Sequence, residues 1–151
     1  MATFDFSTGT LSIDESTSLF RGRPSPEELP LTVAKELAKY GDWENYGIAN
    51  VEIWGKTFGV TARYCKQRLA MVDLVWLDGV AKKIDWSATE EDLVKEKKKL
   101  SKLIAFEAQS PCVSSTIGAD TFVFNWGTLT VHADLRSMIV TTSVAYKEEK
   151  A

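Results

Sequence analysis

The sequence predicts a single α+β domain over residues 1–151, built as an antiparallel sheet of about six to eight strands with two main helices packed on one face. The chain has 151 residues, 44% of them hydrophobic and 26% charged, which suffices for one folded core. Short segments alternate apolar and polar residues, and two longer segments repeat apolar residues at helical spacing. Their order is a hairpin, a helix, three strands, a helix and three strands, which favours antiparallel strands with helices on one side.

The first elements are predicted to be a hairpin and a helix. The stretch "FDFSTGTLSID" alternates around a Thr-Gly turn and predicts pairing of Phe4–Phe6 with Thr10–Ile13. The helix begins at the Ser-Pro of 25–26, or near Pro30 because an internal proline removes a backbone hydrogen bond, and ends at Gly41. Its apolar stripe consists of Leu29, Val33, Leu37 and Tyr40.

The three central strands are expected in "YGIANVEIWG", "TFGVTARYC" and "LAMVDLVWLDG", with turns at Gly55-Lys56 and Lys66–Arg68. The third strand is apolar on both faces except at Asp73, so it should lie in the middle of the sheet. The second strand indicates a sheet with one buried and one wetter face. Its apolar residues are Phe58, Val60, Ala62 and Tyr64, and the alternating residues are Thr57, Gly59, Thr61 and Arg63.

The second helix is predicted in "SATEEDLVKEKKKLSKLIAFEAQ", where Ser87 and Glu90 have the spacing of a capping box. The lysine run Lys97–Lys99 is interpreted as a solvated helix face, because the preceding acidic residues offset its charge. Three further strands follow in "TFVFNWG", "TLTVHAD" and "MIVTTSVAY", with turns at Gly127 and near 135–137. The helix side that should face the sheet carries Leu93, Leu100, Leu103, Ile104 and Glu107.

The charge and hydropathy of the chain argue against several classes of protein. The net charge is −3, which disfavours nucleic-acid binding, and no apolar run is long enough to span a bilayer. The N-terminal "MATFDFSTGT" lacks the basic and apolar regions of a signal peptide, so a cytoplasmic location is expected. The charge is also uneven, with six acidic residues in 26–52, whereas residues 53–72 have no acidic residue and contain Lys56, Arg63, Lys66 and Arg68.

Residues suited to catalysis are few. His132 is the single histidine and lies within an alternating strand, where a structural role is favoured over a dyad with Cys65 or Cys112. Those two cysteines are expected to be reduced and packed. Asp73 and Asp134 could be brought together only by folding. We therefore predict no catalytic residue, no metal site and no cofactor.

The tryptophans suggest where a partner would bind. Trp76 and Trp126 lie in strongly apolar strands and are predicted to be core residues. By contrast, "YGDWENYG" places an aromatic ring among acidic and polar residues, an arrangement that suits a protein interface. The predicted partner-binding residues are Asp42, Trp43, Glu44, Tyr46, Glu52 and Trp54.

Four segments of the chain resemble a known group of proteins. They are "FSTGTLSID", "WGKTFGVTARYCKQRLAMVDL", "WSATEEDLVKEKKKL" and "FNWGTLTVHAD". Their order is similar to that in small α+β immunity proteins of interbacterial toxin systems, such as those of type VI secretion. The resemblance implies a cytoplasmic, non-enzymatic protein that binds and neutralises a cognate toxin.

Three functions are weighed from the sequence. An immunity protein would use its acidic surface to steer association with the basic cleft of a toxin. A small-ligand-binding or enzymatic domain would instead have a pocket between sheet and helices, on the wetter sheet face, lined by Arg63, His132 and Asn125. A secretion chaperone or adaptor would bind an effector without inhibiting it. The oligomeric state is left open.

Overall fold

The computed structural model describes residues 2–14, 17–23, 35–78, 89–134 and 136–147. Within these ranges the chain forms two antiparallel sheets and one helix, α1, at Glu90–Ala108. The small sheet consists of β1 (Thr3–Asp5), β2 (Thr10–Ser12) and β3 (Ser18–Leu19). The large sheet consists of β4 (Lys35–Tyr40), β5 (Trp43–Ile53), β6 (Lys56–Cys65), β7 (Arg68–Trp76), β8 (Ser114–Ser115), β9 (Ala119–Phe124), β10 (Gly127–Asp134) and β11 (Ile139–Tyr146).

The large sheet is made of two meanders that meet at one pair of strands. Its order is β4-β5-β6-β7-β11-β10-β9-β8, and every neighbouring pair is antiparallel. The β7–β11 pair, which we call the seam, runs in register from Thr141 opposite Val75 to Ala145 opposite Met71. The predicted central position of the Asp73 strand is therefore confirmed.

The predicted fold with two main helices packed on one face of the sheet is wrong. Lys35–Tyr40, the second half of the predicted first helix, is strand β4, which pairs with the start of β5. Gly41 has a φ of +58° and opens the turn of this hairpin, whereas the sequence interpretation made it a helix stop. The predicted helix start at 25–26 or Pro30 lies outside the described residues.

The second predicted helix is present as α1, with a later cap than expected. Thr89 is the N-cap: its hydroxyl accepts a hydrogen bond from the Asp92 amide at 3.2 Å, and the Asp92 carboxylate accepts one from the Thr89 amide at 3.0 Å. The capping box is thus Thr89 with Asp92 instead of Ser87 with Glu90; Ser87 lies outside the described residues. The buried helix side consists of Leu93, Glu96, Lys97, Leu100, Ser101 and Ile104.

One face of the large sheet is buried and the other is largely uncovered. The predicted alternation in β6 is confirmed, since Phe58, Val60, Ala62 and Tyr64 are all buried. Helix α1 packs on the buried side of β9, β10 and β11. Among the described residues no helix or strand packs across the opposite face, which we call the open face.

Aromatic rings join the small sheet to the buried side of the large one. The Trp54 ring lies 6.2, 5.9 and 6.0 Å from the rings of Phe4, Phe6 and Phe58. The buried Trp126 donates its indole N–H to the carbonyl oxygen of Phe6 at 2.7 Å. A side chain at Gly9 would place Cβ 2.5 Å from the Trp126 ring, so only glycine fits that turn. The predicted core positions of Trp76 and Trp126 are confirmed.

A buried ion pair fastens α1 to β9. The Lys97 Nζ atom lies 3.0 Å from Asp120 Oδ1 and 2.7 Å from the carbonyl oxygen of Thr116, and the Lys97 side chain is only 1% exposed. The interpretation of Lys97 as solvated is therefore wrong, although its neighbours Lys98 and Lys99 are exposed. Burial raises the pKa of Asp120, but hydrogen bonds from hydroxyl groups and from Lys97 outweigh it and lower the pKa overall.

Two adjacent lysines of α1 provide a matched test of this ion pair. We expect Lys97→Met to lower the free energy of unfolding by about 3–5 kcal/mol, because it leaves the Asp120 carboxylate buried without its cation. Lys98→Met, at an exposed position, should change it by no more than about 0.5 kcal/mol. Urea denaturation followed by circular dichroism measures both. Equal effects of the two substitutions would contradict this account.

The same pair should make stability depend on pH. Because the pKa of Asp120 is lower in the folded chain than its ordinary value, the carboxylate stabilises the fold above that ordinary value, near 3.8. This contribution is lost as the pH falls through the folded-state pKa. We expect the urea midpoint to fall on acidification, and to fall less steeply in Asp120→Asn. Parallel curves for the two proteins would be inconsistent with this linkage.

Candidate functional site

The open face contains a cavity of about 600 Å³ over the middle of the large sheet, which we call the open-face cavity. Strand alternation aims every second side chain of β5, β6, β7, β10 and β11 toward this face. The pairing register then brings polar side chains into neighbouring positions, with Thr61 and Ser143 on either side of Asp73. The lining residues are Asn45, Thr61, Arg63, Met71, Asp73, Val75, His132, Asp134, Thr141 and Ser143.

Four of these side chains form a continuous polar chain across four strands, in which Arg63 and Asp73 form an ion pair and hydrogen bonds join Asp73 to Ser143 and Ser143 to His132. Arg63 Nε lies 2.9 Å from Asp73 Oδ2, and the Ser143 hydroxyl donates to Asp73 Oδ1 at 2.8 Å. His132 Nε2 lies 3.2 Å from Ser143 Oγ. Asp73 is only 8% exposed, so its carboxylate depends on these two partners for compensation. The chain therefore fixes the orientation of each group before any ligand arrives.

The order of groups in this chain determines where the protons lie. The Ser143 hydroxyl has one proton, which it donates to Asp73, so it can only accept from His132. His132 Nε2 must therefore carry a proton. In nucleophilic triads the histidine stands between serine and carboxylate and accepts the serine proton. Here Ser143 stands in the middle, which is an arrangement for positioning donors.

Arg63 has hydrogen-bond donors that are available to a ligand in the cavity. Its side chain is 40% exposed, and its Nε lies 2.9 Å from Asp73 in an ion pair that lacks hydrogen-bond geometry. Within the described ranges, the two terminal nitrogens of its guanidinium have no hydrogen-bond partner. A guanidinium held at one edge can present its remaining N–H groups to a carboxylate, a phosphate or a carbonyl oxygen.

Asp134 brings a second carboxylate to the rim of the cavity. Hydrogen bonds from the side chain and backbone of Ser137, and from the Arg136 amide, lower the pKa of Asp134. From the sequence, only folding could bring Asp73 and Asp134 together. In the structure both line the same cavity. Their charges together with that of Arg63 give the cavity cationic and anionic groups side by side.

Two of the predicted partner-binding residues lie in the β4–β5 turn and at the start of β5. Asp42 is exposed in the β4–β5 turn, where its carbonyl oxygen accepts a hydrogen bond from the Lys66 amide at 3.0 Å. Trp43 is half-buried and stands opposite Cys65. Because alternate residues share a face, Trp43 lies on the same face as Asn45, a residue of the open-face cavity.

The other four predicted residues lie elsewhere. Glu44 and Tyr46 point to the opposite face, where the Tyr46 hydroxyl donates to Glu44 Oε2 at 2.9 Å. Glu52 is exposed near the far end of β5, and Trp54 belongs to the aromatic cluster with Phe4, Phe6 and Phe58. The six residues therefore do not form one continuous surface.

Two of the three residues predicted to line a ligand pocket lie in the same cavity. Arg63 and His132 line the open-face cavity, whereas Asn125 is exposed in the β9–β10 turn and does not. The cavity also lies on the face opposite α1 instead of between sheet and helix. Ser143 was not singled out from the sequence. Asp73 was recognisable as the one charge inside an otherwise apolar strand, but its partners come from strands distant in sequence.

Comparison of the chain with protein-family models, with curated proteins and with solved structures returned no match. In the described ranges, no group of three or more histidine, cysteine, aspartate and glutamate side chains could hold a metal ion. Helix α1 is not long and apolar enough to cross a membrane, and the described ranges contain no other helix. Both cysteines are free thiols and are half-buried.

The proton positions in the hydrogen bonds that join Asp73, Ser143 and His132 can be measured directly. We expect the neutral His132 ring to be the Nε2–H tautomer, because Ser143 has no second proton to donate. Long-range ¹H–¹⁵N correlation spectra distinguish the two tautomers of this single histidine. In Ser143→Ala the preference for Nε2–H should weaken. A ring protonated on Nδ1 in the unsubstituted protein would contradict the assigned direction.

Proposed function

We propose that the protein is a cytoplasmic, non-enzymatic immunity protein that binds a cognate interbacterial toxin through the open face and neutralises it. The observation that carries this proposal is the polar chain, in which Arg63 forms an ion pair with Asp73 and Ser143 is hydrogen-bonded to both Asp73 and His132. A charged residue inside an otherwise apolar strand departs from the local pattern of the sheet, and such departures concentrate at functional sites. An ordered set of donors and acceptors suits recognition of a partner's polar side chain.

The shape of the open face supports a protein partner. Adjacent strands of a sheet hold their side chains at fixed spacings, so the face offers a rigid platform. Trp43 adds a half-buried aromatic ring on this face, and aromatic rings are frequent anchors of protein interfaces. Asp42, exposed in the adjacent turn, supplies a negative charge that would steer association with a basic toxin cleft.

A second candidate function is supported by the cavity itself. Its volume of about 600 Å³ lies within the range of roughly 300–1,000 Å³ that is common for small-molecule sites. The terminal guanidinium nitrogens of Arg63 would then bind an anionic or carbonyl group of a small ligand. This alternative uses the same residues but requires no surface beyond the cavity.

Co-expression tests the proposed function. The products encoded beside this gene are expressed in a laboratory bacterium, alone and together with this chain. We expect one product to arrest growth and this chain to relieve the arrest by forming a complex with it. If no neighbouring product is toxic, or if a complex forms without relief, the proposal is wrong; the second result indicates an adaptor. Saturable binding of a small molecule, lost in Arg63→Ala, would favour the second candidate.

Two tryptophan substitutions separate the interface from the core. Trp43→Ala should weaken toxin binding by about 2 kcal/mol or more, mainly through faster dissociation, with little change in melting temperature. Trp54→Ala should lower the melting temperature, because it removes a ring packed against three others, and leave the affinity of the folded protein unchanged. Surface plasmon resonance and calorimetry measure the two effects. The opposite pattern would remove Trp43 from the interface.

A further inference from the structure

A second cavity lies at the end of the large sheet, around the β6–β7 turn, and we call it the turn cavity. Its volume is about 280 Å³. Three parts of the chain form its walls: Gly22, which lies in the turn after β3, the β6–β7 hairpin, and the end of β11 with Lys147. The lining residues are Gly22, Cys65, Lys66, Arg68, Leu69, Ala70, Tyr146 and Lys147.

The described residues that line the turn cavity have charge of one sign. Lys66, Arg68 and Lys147 are exposed cations on its rim, and none of the described lining residues is acidic. The Asp42 carbonyl oxygen accepts a hydrogen bond from the Lys66 amide, and Asp42 is not part of the lining; Glu148 and Glu149, which follow Lys147, lie outside the described residues. Burial, with a smaller effect of Tyr64, raises the pKa of Tyr146, so its phenol adds no negative charge. A protein of net charge −3 thus concentrates three cations around one small cavity.

Backbone hydrogen bonds hold the walls of the turn cavity together. The Gly22 amide donates to the Leu69 carbonyl oxygen at 3.3 Å, and the Leu69 amide donates to that of Arg23 at 2.9 Å. Arg68 Nη1 lies 3.5 Å from the Gly22 carbonyl oxygen, which places the guanidinium against the cavity wall. The Tyr146 hydroxyl donates to the Gly9 carbonyl oxygen at 2.6 Å, so its ring is fixed as well. The cationic groups therefore surround a site whose backbone is already ordered.

We propose that the turn cavity binds a phosphate monoester. A guanidinium and two ammonium groups provide the charge-assisted donors that a phosphate dianion requires. The apolar floor of Leu69, Ala70 and the Tyr146 ring would contact the organic part of the ester. The volume of about 280 Å³ is just below the range of roughly 300–1,000 Å³ that is common for small-molecule sites, which limits the ligand to a small one. This site is separate from the open-face cavity and does not depend on the proposed function.

The test uses inorganic phosphate and phenyl phosphate as probes of the ¹⁵N-labelled protein, with ionic strength held constant by chloride. We expect saturable shifts of the Cys65–Leu69 amides with both probes and at least tenfold tighter binding of phenyl phosphate, because only it reaches the apolar floor. Non-saturating shifts, or equal binding of the two probes, would overturn the assignment.

Matched substitutions control for general charge effects. Arg68→Gln with Lys147→Gln should weaken phenyl phosphate binding at least tenfold, while Lys98→Gln with Lys99→Gln, which removes two exposed cations of α1, should leave it unchanged. Amide spectra away from the turn verify that both variants are folded. If both double variants bind equally well, or lose binding equally, the turn cavity is not the site. A failed co-expression experiment would leave this result unaffected.

Discussion

The pairing of β7 with β11 is the constraint on which the rest of the structure depends. Each meander alone would have an unpaired strand edge at the seam and would carry only half of the apolar surface of the large sheet. The seam joins the two faces into one, and that continuous face is what α1 and the small sheet cover. The same register puts Ser143 opposite Asp73, so the strand pair that closes the core also creates the polar chain on the other side.

Local pattern predicted much of the large sheet. Alternation in β6 revealed its two faces, and Asp73 marked a central strand, because both signals lie within a few neighbouring residues. The same local pattern failed at Gly41, since a glycine after an apolar repeat can end a helix or open a hairpin, and only the partner strand decides. Lys97 follows Leu93 by four residues and so shares its buried side, but Asp120, which makes that burial tolerable, comes 23 residues later.

The candidate site was less accessible to sequence reasoning than the fold. Arg63 and His132 could be placed on the wetter face from alternation alone, and both line the open-face cavity. Their connection runs through Asp73 and Ser143, and it exists only because β6, β7, β11 and β10 are neighbours in that order. Strand order follows from pairings distant in sequence, which a single sequence does not encode in any local pattern. The basic stretch of 53–72 was visible, whereas its grouping with Lys147 around one cavity was not.

The seam also has a consequence for how the chain is made. Asp73 and Ser143 are 70 residues apart, so the ribosome needs roughly 4–14 s, at about 5–20 residues per second, to deliver the second after the first. During that interval the edge of β7 that will pair with β11 has no partner strand, although its other edge can pair with β6. An unpaired strand edge is a template for association with other chains. This edge therefore stays available for such association during synthesis until β11 is made and pairs with it.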